Sequence, residues 1–176
     1  MKYFDKELYK KYSTTSSKKY TDEWNVCERN FRDYLNTIKK SYPKKLLKIF
    51  ENTLFFHDFQ ICNFIYCTKR DYQSKQNDMI AFYLISDMVA EEISIIIEFD
   101  NVIYFKCETN NAEYISNKIV SCGLDRIITS EIGIDDNGNY TFSFFTANDA
   151  NFEIVFKAVR MRIRNGIDGF KQILVF

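Results

Sequence analysis

The sequence predicts an α+β fold, with N-terminal helices packed on an antiparallel β-sheet of six to eight strands. Three observations predict it. In the first third, apolar residues recur at three- and four-residue steps, which lines one face of a helix. From Phe55 onward they come instead as short runs of Ile, Val, Phe and Tyr divided by polar turns, which reads as strands. The third is an internal echo. Residues 95–106 (IIIEFDNVIYFK) align without gaps on residues 152–163 (FEIVFKAVRMRI), matching Ile97 with Ile154, Phe99 with Phe156 and Val102 with Val159. Each is preceded by another apolar run, 79–86 or 140–146, and before that by Phe56-His57-Asp58 or Leu124-Asp125. The echo points to two three-strand meanders, 55–107 and 123–164. They follow a helical part at 1–54 and precede a last strand or tail at 165–176, all in a single domain, 1–176.

The helical part divides further. Residues 2–12 read as a short leading helix and 13–19 as a polar loop. Thr21 then stands as N-cap before Asp22 and Glu23, acids that favour the positive end of a helix dipole. Trp24, Cys27, Phe31, Tyr34, Leu35 and Ile38 make one apolar stripe, so an amphipathic helix runs from about 21 to 40. Pro43, the sole proline, opens another helix, where the first turn tolerates it, and Leu46, Leu47, Phe50 and Leu54 form its apolar side.

Strands are expected at 58–67, 79–86, 93–99, 102–107, 126–134, 140–146, 152–158 and 159–164. Asp100-Asn101 fits either a tight hairpin or a bulge in one long strand. Asn137-Gly138 supplies the positive φ angles of a type I′ turn. Residues 108–122 read as loop with one helical turn.

Composition bounds the function. Lys and Arg number 24, as do Asp and Glu, and a neutral chain of pI about 6.6 offers no general polyanion-binding surface, so nucleic acid is not an expected partner. The start MKYFDKELYKKYS is charged and lacks an apolar core, unlike a secretory signal, and the apolar runs are too short to cross a bilayer. The five cysteines are scattered without a C-x-x-C pair, which predicts reduced thiols acting as small core hydrophobes in a cytoplasmic protein without membrane attachment.

Few motifs carry chemistry. His57 is the only histidine, and with Asp58 it is the first place to seek an acid–base device; two adjacent residues in a strand would point to opposite faces. The competing reading has Asp58 bonding turn amides and His57 closing the edge of the core. Cys62 and Cys67 have no close partner ligand, and the stretch from Asp135 to Asn139 opens like a calcium loop but lacks the bidentate Glu, having Thr146 there, so no metal is expected. No glycine-rich phosphate loop or nucleophile elbow occurs, and no cofactor is expected. Arg160, Arg162 and Arg164 alternate with Val159, Met161 and Ile163, giving an anion-seeking ridge on one strand face unless cross-strand acids such as Asp149 or Glu153 neutralise it. His57, Asp58, Arg160, Arg162 and Arg164 are therefore the candidate ligand or partner contacts. The apolar run FKQILVF, from Phe170 to Phe176, offers a route to self-association if it is left uncovered.

The start Met1-Lys2-Tyr3-Phe4 with Lys6-Glu7, the Trp24 helix, Tyr42-Pro43, Phe56-His57-Asp58 and the β-rich remainder together resemble a family of uncharacterised Firmicutes proteins that carries a domain-of-unknown-function label. The resemblance spans about the whole chain and implies no activity. The His-Asp step entering a strand is also similar to small immunity proteins of bacterial toxin systems, which neutralise a toxin by binding it. Many nuclease immunity proteins are strongly acidic, and the neutrality of this chain argues against a nuclease target more than against immunity. The sequence thus predicts a non-catalytic, protein-binding protein, with a toxin among the partners to consider. The alternative is an enzyme or small-ligand protein with a pocket near His57 and Asp58.

Overall fold

The computed structural model describes residues 1–53, 55–70, 76–86, 93–108, 114–115, 118–119 and 125–165. Three helices come first: α1 (Lys6–Thr14), α2 (Lys18–Ile38) and α3 (Lys44–Asn52). Asp5 caps α1, its carboxylate accepting the Leu8 N–H at 2.8 Å, so the leading helix starts and ends later than the sequence suggests. Ser17 rather than Thr21 precedes α2. The expected stripe is there: Phe31, Leu35 and Ile38 are buried, with Trp24, Cys27 and Tyr34 packed against the core. Pro43 is the N-cap of α3, which buries Leu46, Leu47, Ile49 and Phe50; Leu54 lies outside the described residues.

The strands are β1 (Gln60–Arg70), β2 (Gln76–Ser86), β3 (Ile93–Glu108), β4 (Tyr114–Ile115), β5 (Lys118–Ile119), β6 (Ile127–Ile134), β7 (Tyr140–Thr146) and β8 (Asn151–Asn165). Six form one antiparallel sheet in the order β1-β2-β3-β8-β7-β6, and β4 pairs with β5. Within 108–122 the described residues are the end of β3 and the antiparallel pair β4–β5; the rest, where one helical turn is expected, lies outside the described residues. The pairs 93–99/102–107 and 152–158/159–164 merge into two long strands. Asn101, at φ 52°, takes the left-handed conformation that Asn tolerates, and the β3–β8 register shifts between Val102 and Tyr104: a bulge, not a hairpin. At 135–139 the left-handed residue is Gly138 (φ 76°) and not Asn137. This is a type I turn closed by a glycine bulge, instead of type I′, with the Asp135 carboxylate holding the N–H groups of Asn137 and Asn139.

Both meanders are present, and they meet through their third strands. In the β3–β8 ladder Phe99 pairs with Val159 and Val102 pairs with Phe156. These two pairs exchange when each residue is replaced by its sequence-aligned counterpart, so they lie about a local two-fold axis of the ladder; the third match falls outside it, Ile97 pairing with Met161 and Ile154 with Phe105 across the bulge. Phe99 and Phe156 face each other across it, ring centroids 4.7 Å apart. The two meanders hand over within one aligned residue of each other: β2 pairs with β3 up to Asp100, and β7 with β8 up to Phe156.

The sheet then curls until its edge strands touch. Gln60 bridges Arg126, the Asp58 N–H donates to Ile127 O at 2.9 Å, and the Ile127 N–H donates to Phe59 O at 2.8 Å. The result is a barrel closed at one corner and filled with phenylalanine, including Phe82, Phe99, Phe142, Phe144, Phe152 and Phe156. The helices seal the second meander. Tyr34 Oη accepts the Ile134 N–H, Tyr42 Oη donates to Thr141 O, and Lys45 Nζ donates to Met161 O. Gly133 permits the first of these contacts, because a Cβ there would lie 2.9 Å from Thr141 Oγ1 and 3.0 Å from Tyr34 Oη.

Asp149, left-handed at φ 67°, ties the β7–β8 turn to α1 through Lys6 (3.0 Å) and Lys10 (3.5 Å). The hydrogen bond from Lys6, reinforced by both lysine charges, holds the Asp149 carboxyl below its usual pKa. A lowered folded-state pKa stabilises the fold above the unfolded value and loses that contribution as pH falls through the folded value. Asp149→Asn keeps the left-handed backbone, so it is expected to destabilise by less than about 1 kcal/mol at neutral pH, solvent screening included. The difference from wild type should vanish in strong acid. Urea midpoints measured across that range check both points.

Candidate functional site

His57 lies on the turn that joins α3 to β1, before the strand begins. Phe55 (φ 64°), Phe56 (φ 57°) and Asp58 (φ 64°) around it all adopt the left-handed conformation, which costs roughly 1–2 kcal/mol for each residue other than glycine. Burial of both phenylalanine rings and a set of hydrogen bonds hold the turn. The Phe55 N–H donates to Phe50 O, Ser130 Oγ donates to Phe55 O, and the Asp58 N–H donates to the β6 backbone. Because neither residue is in a strand, their side chains come together: His57 Nδ1 is 3.6 Å from Asp58 Oδ1. The same oxygen is 3.2 Å from Arg126 Nε. Asp58 is thus a tie between the turn and β6, and His57 remains 45% exposed.

The exposed ring borders a cleft of about 210 Å³ between α1, α2, the turn and β6, open to solvent on one side. Aromatic surface dominates its walls: Phe4, Tyr9, Tyr12, Trp24 and Phe55, with Ile128 and Thr129. Tyr12 stacks on Trp24 with an interplanar angle of 9°, and Tyr9 packs against Trp24 and Phe145. Burial raises the Tyr9 phenol above its ordinary pKa; the Arg126 charge opposes this, and Asp58 and Tyr12 add to it. Glu28 and Arg32, one helical turn apart, line the same cleft and are paired at 2.6 Å, with the Arg32 guanidinium 5.1 Å over the Phe55 ring.

The arginine ridge lies elsewhere, on the outer face of β3 and β8, and acids compensate it. They are not the acids the sequence suggests. Arg160 pairs with Asp100 at 2.8 Å and Arg162 with Glu98 at 2.8 Å, with Arg160 3.6 Å from Glu98 as well. Asp149 is engaged with α1, and Glu153 stands opposite Lys106 in the ladder. Arg164 pairs with Ser94 in register, and its side chain lies outside the described residues. Arg160 and Arg162 do not line the cleft that His57 borders.

One functional group was not picked out by sequence. Glu131, 6% exposed on β6, accepts the backbone N–H groups of Lys2 (2.7 Å), Tyr3 (2.7 Å) and Phe4 (2.6 Å) with its two carboxylate oxygens. This strap places Phe4 against Trp24 and Phe31 and so builds one wall of the cleft. An acid inside the apolar run IITSEIGI was the available signal, because a buried carboxylate requires donors.

The thiols differ from expectation too. Cys62 and Cys107 are exposed, and Cys27 and Cys67 are half-buried, so none of these four is a core residue; Cys122 lies outside the described residues. Among the described residues no group of three His, Cys, Asp or Glu side chains is placed to hold a metal ion. No described helix is long and apolar enough to cross a membrane. No family model matches the chain, and no curated protein and no solved structure matches it either.

Proposed function

We propose that this chain works by binding a protein partner without catalysing a reaction, in the manner of an immunity protein that neutralises a toxin. The observation that carries the reading is the cleft beside His57. Its lining is mostly aromatic, with the paired Glu28 and Arg32 and with His57 as its charged or titratable members, and it opens to solvent, which suits a protein-recognition surface better than an enclosed reaction chamber. The charges near it are turned toward one another, Asp58 to Arg126 and Glu28 to Arg32, which suits a surface that excludes water on docking. The rival reading, a pocket using the His57–Asp58 contact for acid–base chemistry, draws on the strained turn and the 3.6 Å approach of the two side chains.

Two measurements separate these readings. Co-expression with a growth-arresting product of an adjoining gene is expected to restore growth, and the purified pair to co-elute. His57→Ala and Asp58→Ala are expected to change stability rather than turnover, Asp58→Ala by about 1–2 kcal/mol through the lost tie to β6. Turnover of a substrate by the wild-type protein, abolished by His57→Ala with an unchanged urea midpoint, would overturn the proposal.

A further inference from the structure

We infer that the cleft beside His57 is the anchor pocket for the partner and takes one neutral aromatic side chain from it, tyrosine in preference to others. The inference rests on the protein-binding reading above and names the chemistry of the group that docks. Size sets the first limit. About 210 Å³ falls below the several hundred Å³ of a typical small-molecule or cofactor pocket and has room for roughly one large side chain. The walls set the second. Tyr9, Tyr12 and Trp24 present ring surface, and an aromatic guest gains edge-to-face or offset contacts there beyond its buried area.

Charge sets the third limit. Glu28 and Arg32 neutralise each other, and Arg32 already occupies the cation–π position over Phe55. Because the two are already paired, a charged guest finds no free counter-ion on this wall and would be desolvated without compensation, so the complementary guest is neutral. His57 supplies the selectivity. Its half-exposed imidazole stands at the cleft on a turn pinned in an unfavourable backbone conformation, a group held ready to hydrogen-bond a phenol hydroxyl.

Trp24 is the only tryptophan, so its emission reads the occupancy of the cleft directly. The probes are N-acetyl-tyrosinamide and the phenylalanine, leucine and lysine amides, titrated into the full chain. The tyrosine amide is expected to give a saturable change with a Kd on the order of 1 mM. The phenylalanine amide should bind about five-fold more weakly, one neutral hydrogen bond's worth, and the leucine and lysine amides about ten-fold or more weakly. His57→Ala should erase the preference for tyrosine over phenylalanine. Tyr12→Ala, which removes a half-exposed ring stacked on Trp24, should weaken tyrosine-amide binding about ten-fold with the protein still fully folded, its urea midpoint only slightly lowered.

No saturable change, tighter binding of the lysine amide, or a tyrosine preference that survives His57→Ala would overturn the inference. Its failure is distinguishable from failure of the underlying reading. A partner that binds Tyr12→Ala and His57→Ala as well as wild type removes the pocket and keeps the binding function, whereas His57-dependent turnover removes the function itself.

Discussion

Glu131→Ala is expected to destabilise the protein by about 4 kcal/mol, an unusually large effect for an acidic residue. The wild-type carboxylate takes three backbone hydrogen bonds, from Lys2, Tyr3 and Phe4, at 2.6–2.7 Å. Charge-assisted bonds of this kind each contribute about 1.5–3 kcal/mol, part of which returns when the freed N–H groups reach water. For a chain of this length each kcal/mol shifts Tm by about 2–4 °C, so a fall of about 10 °C is expected. Glu131→Gln, which keeps one acceptor oxygen, should cost about half as much. Amide exchange at residues 2–4 should accelerate in both variants, because the strap detaches before the barrel opens. A loss below about 1 kcal/mol for Glu131→Ala would mean that the strap is not held by this carboxylate.

Phe156→Ala should have a comparable effect by a different route. Phe156 is fully buried at the centre of the β3–β8 ladder, against Phe99 and Tyr140. Truncating a core phenylalanine to alanine removes its transfer free energy and leaves a cavity, together about 3–5 kcal/mol. Phe99→Ala should cost about the same, being related to Phe156 by the local two-fold axis. The double variant should fall short of the sum by about 0.5–1.5 kcal/mol, because the two rings touch. With domain stabilities near 5–15 kcal/mol, the double variant is expected to be largely unfolded at 37 °C. Urea midpoints of both single variants and the double variant supply the cycle. Strictly additive losses would place the two rings apart.

The core was legible in the sequence wherever a periodic pattern alone determines burial. The stripe from Trp24 to Ile38 and the alternation of Arg160 and Arg162 with Val159 and Met161 place those residues on their observed faces, whereas Ile163, read as part of the same inner face, is exposed near the end of β8. The echo points to two three-strand units, but that they share one sheet through β3 and β8, with Phe99 against Phe156 at the junction, belongs to the folded state. Contacts between distant segments were not legible. Barrel closure depends on Gln60 meeting Arg126, and no local pattern encodes which sheet edges meet. The arginine partners were misplaced for the same reason: Glu98 and Asp100 face the ridge only once β3 and β8 are paired in register. Asp58 illustrates both sides. Its importance at the junction could be read from the chain, while the left-handed turn that lets it hold both His57 and Arg126 belongs to the folded state. The role of the strap in walling the cleft also required three dimensions, since Phe4 and Trp24 belong to different elements.

The proposed function requires that another protein be held in the cleft beside His57. Site-specific photo-crosslinking in the producing cell tests it most directly. A photoreactive phenylalanine analogue is placed at Tyr12, inside the cleft, or at Ile103, exposed on β3 away from it. A discrete cross-linked species is expected from position 12, identified by mass spectrometry as a protein that binds the purified chain, and none from position 103. The same partner captured from position 103 and not from position 12 would contradict it.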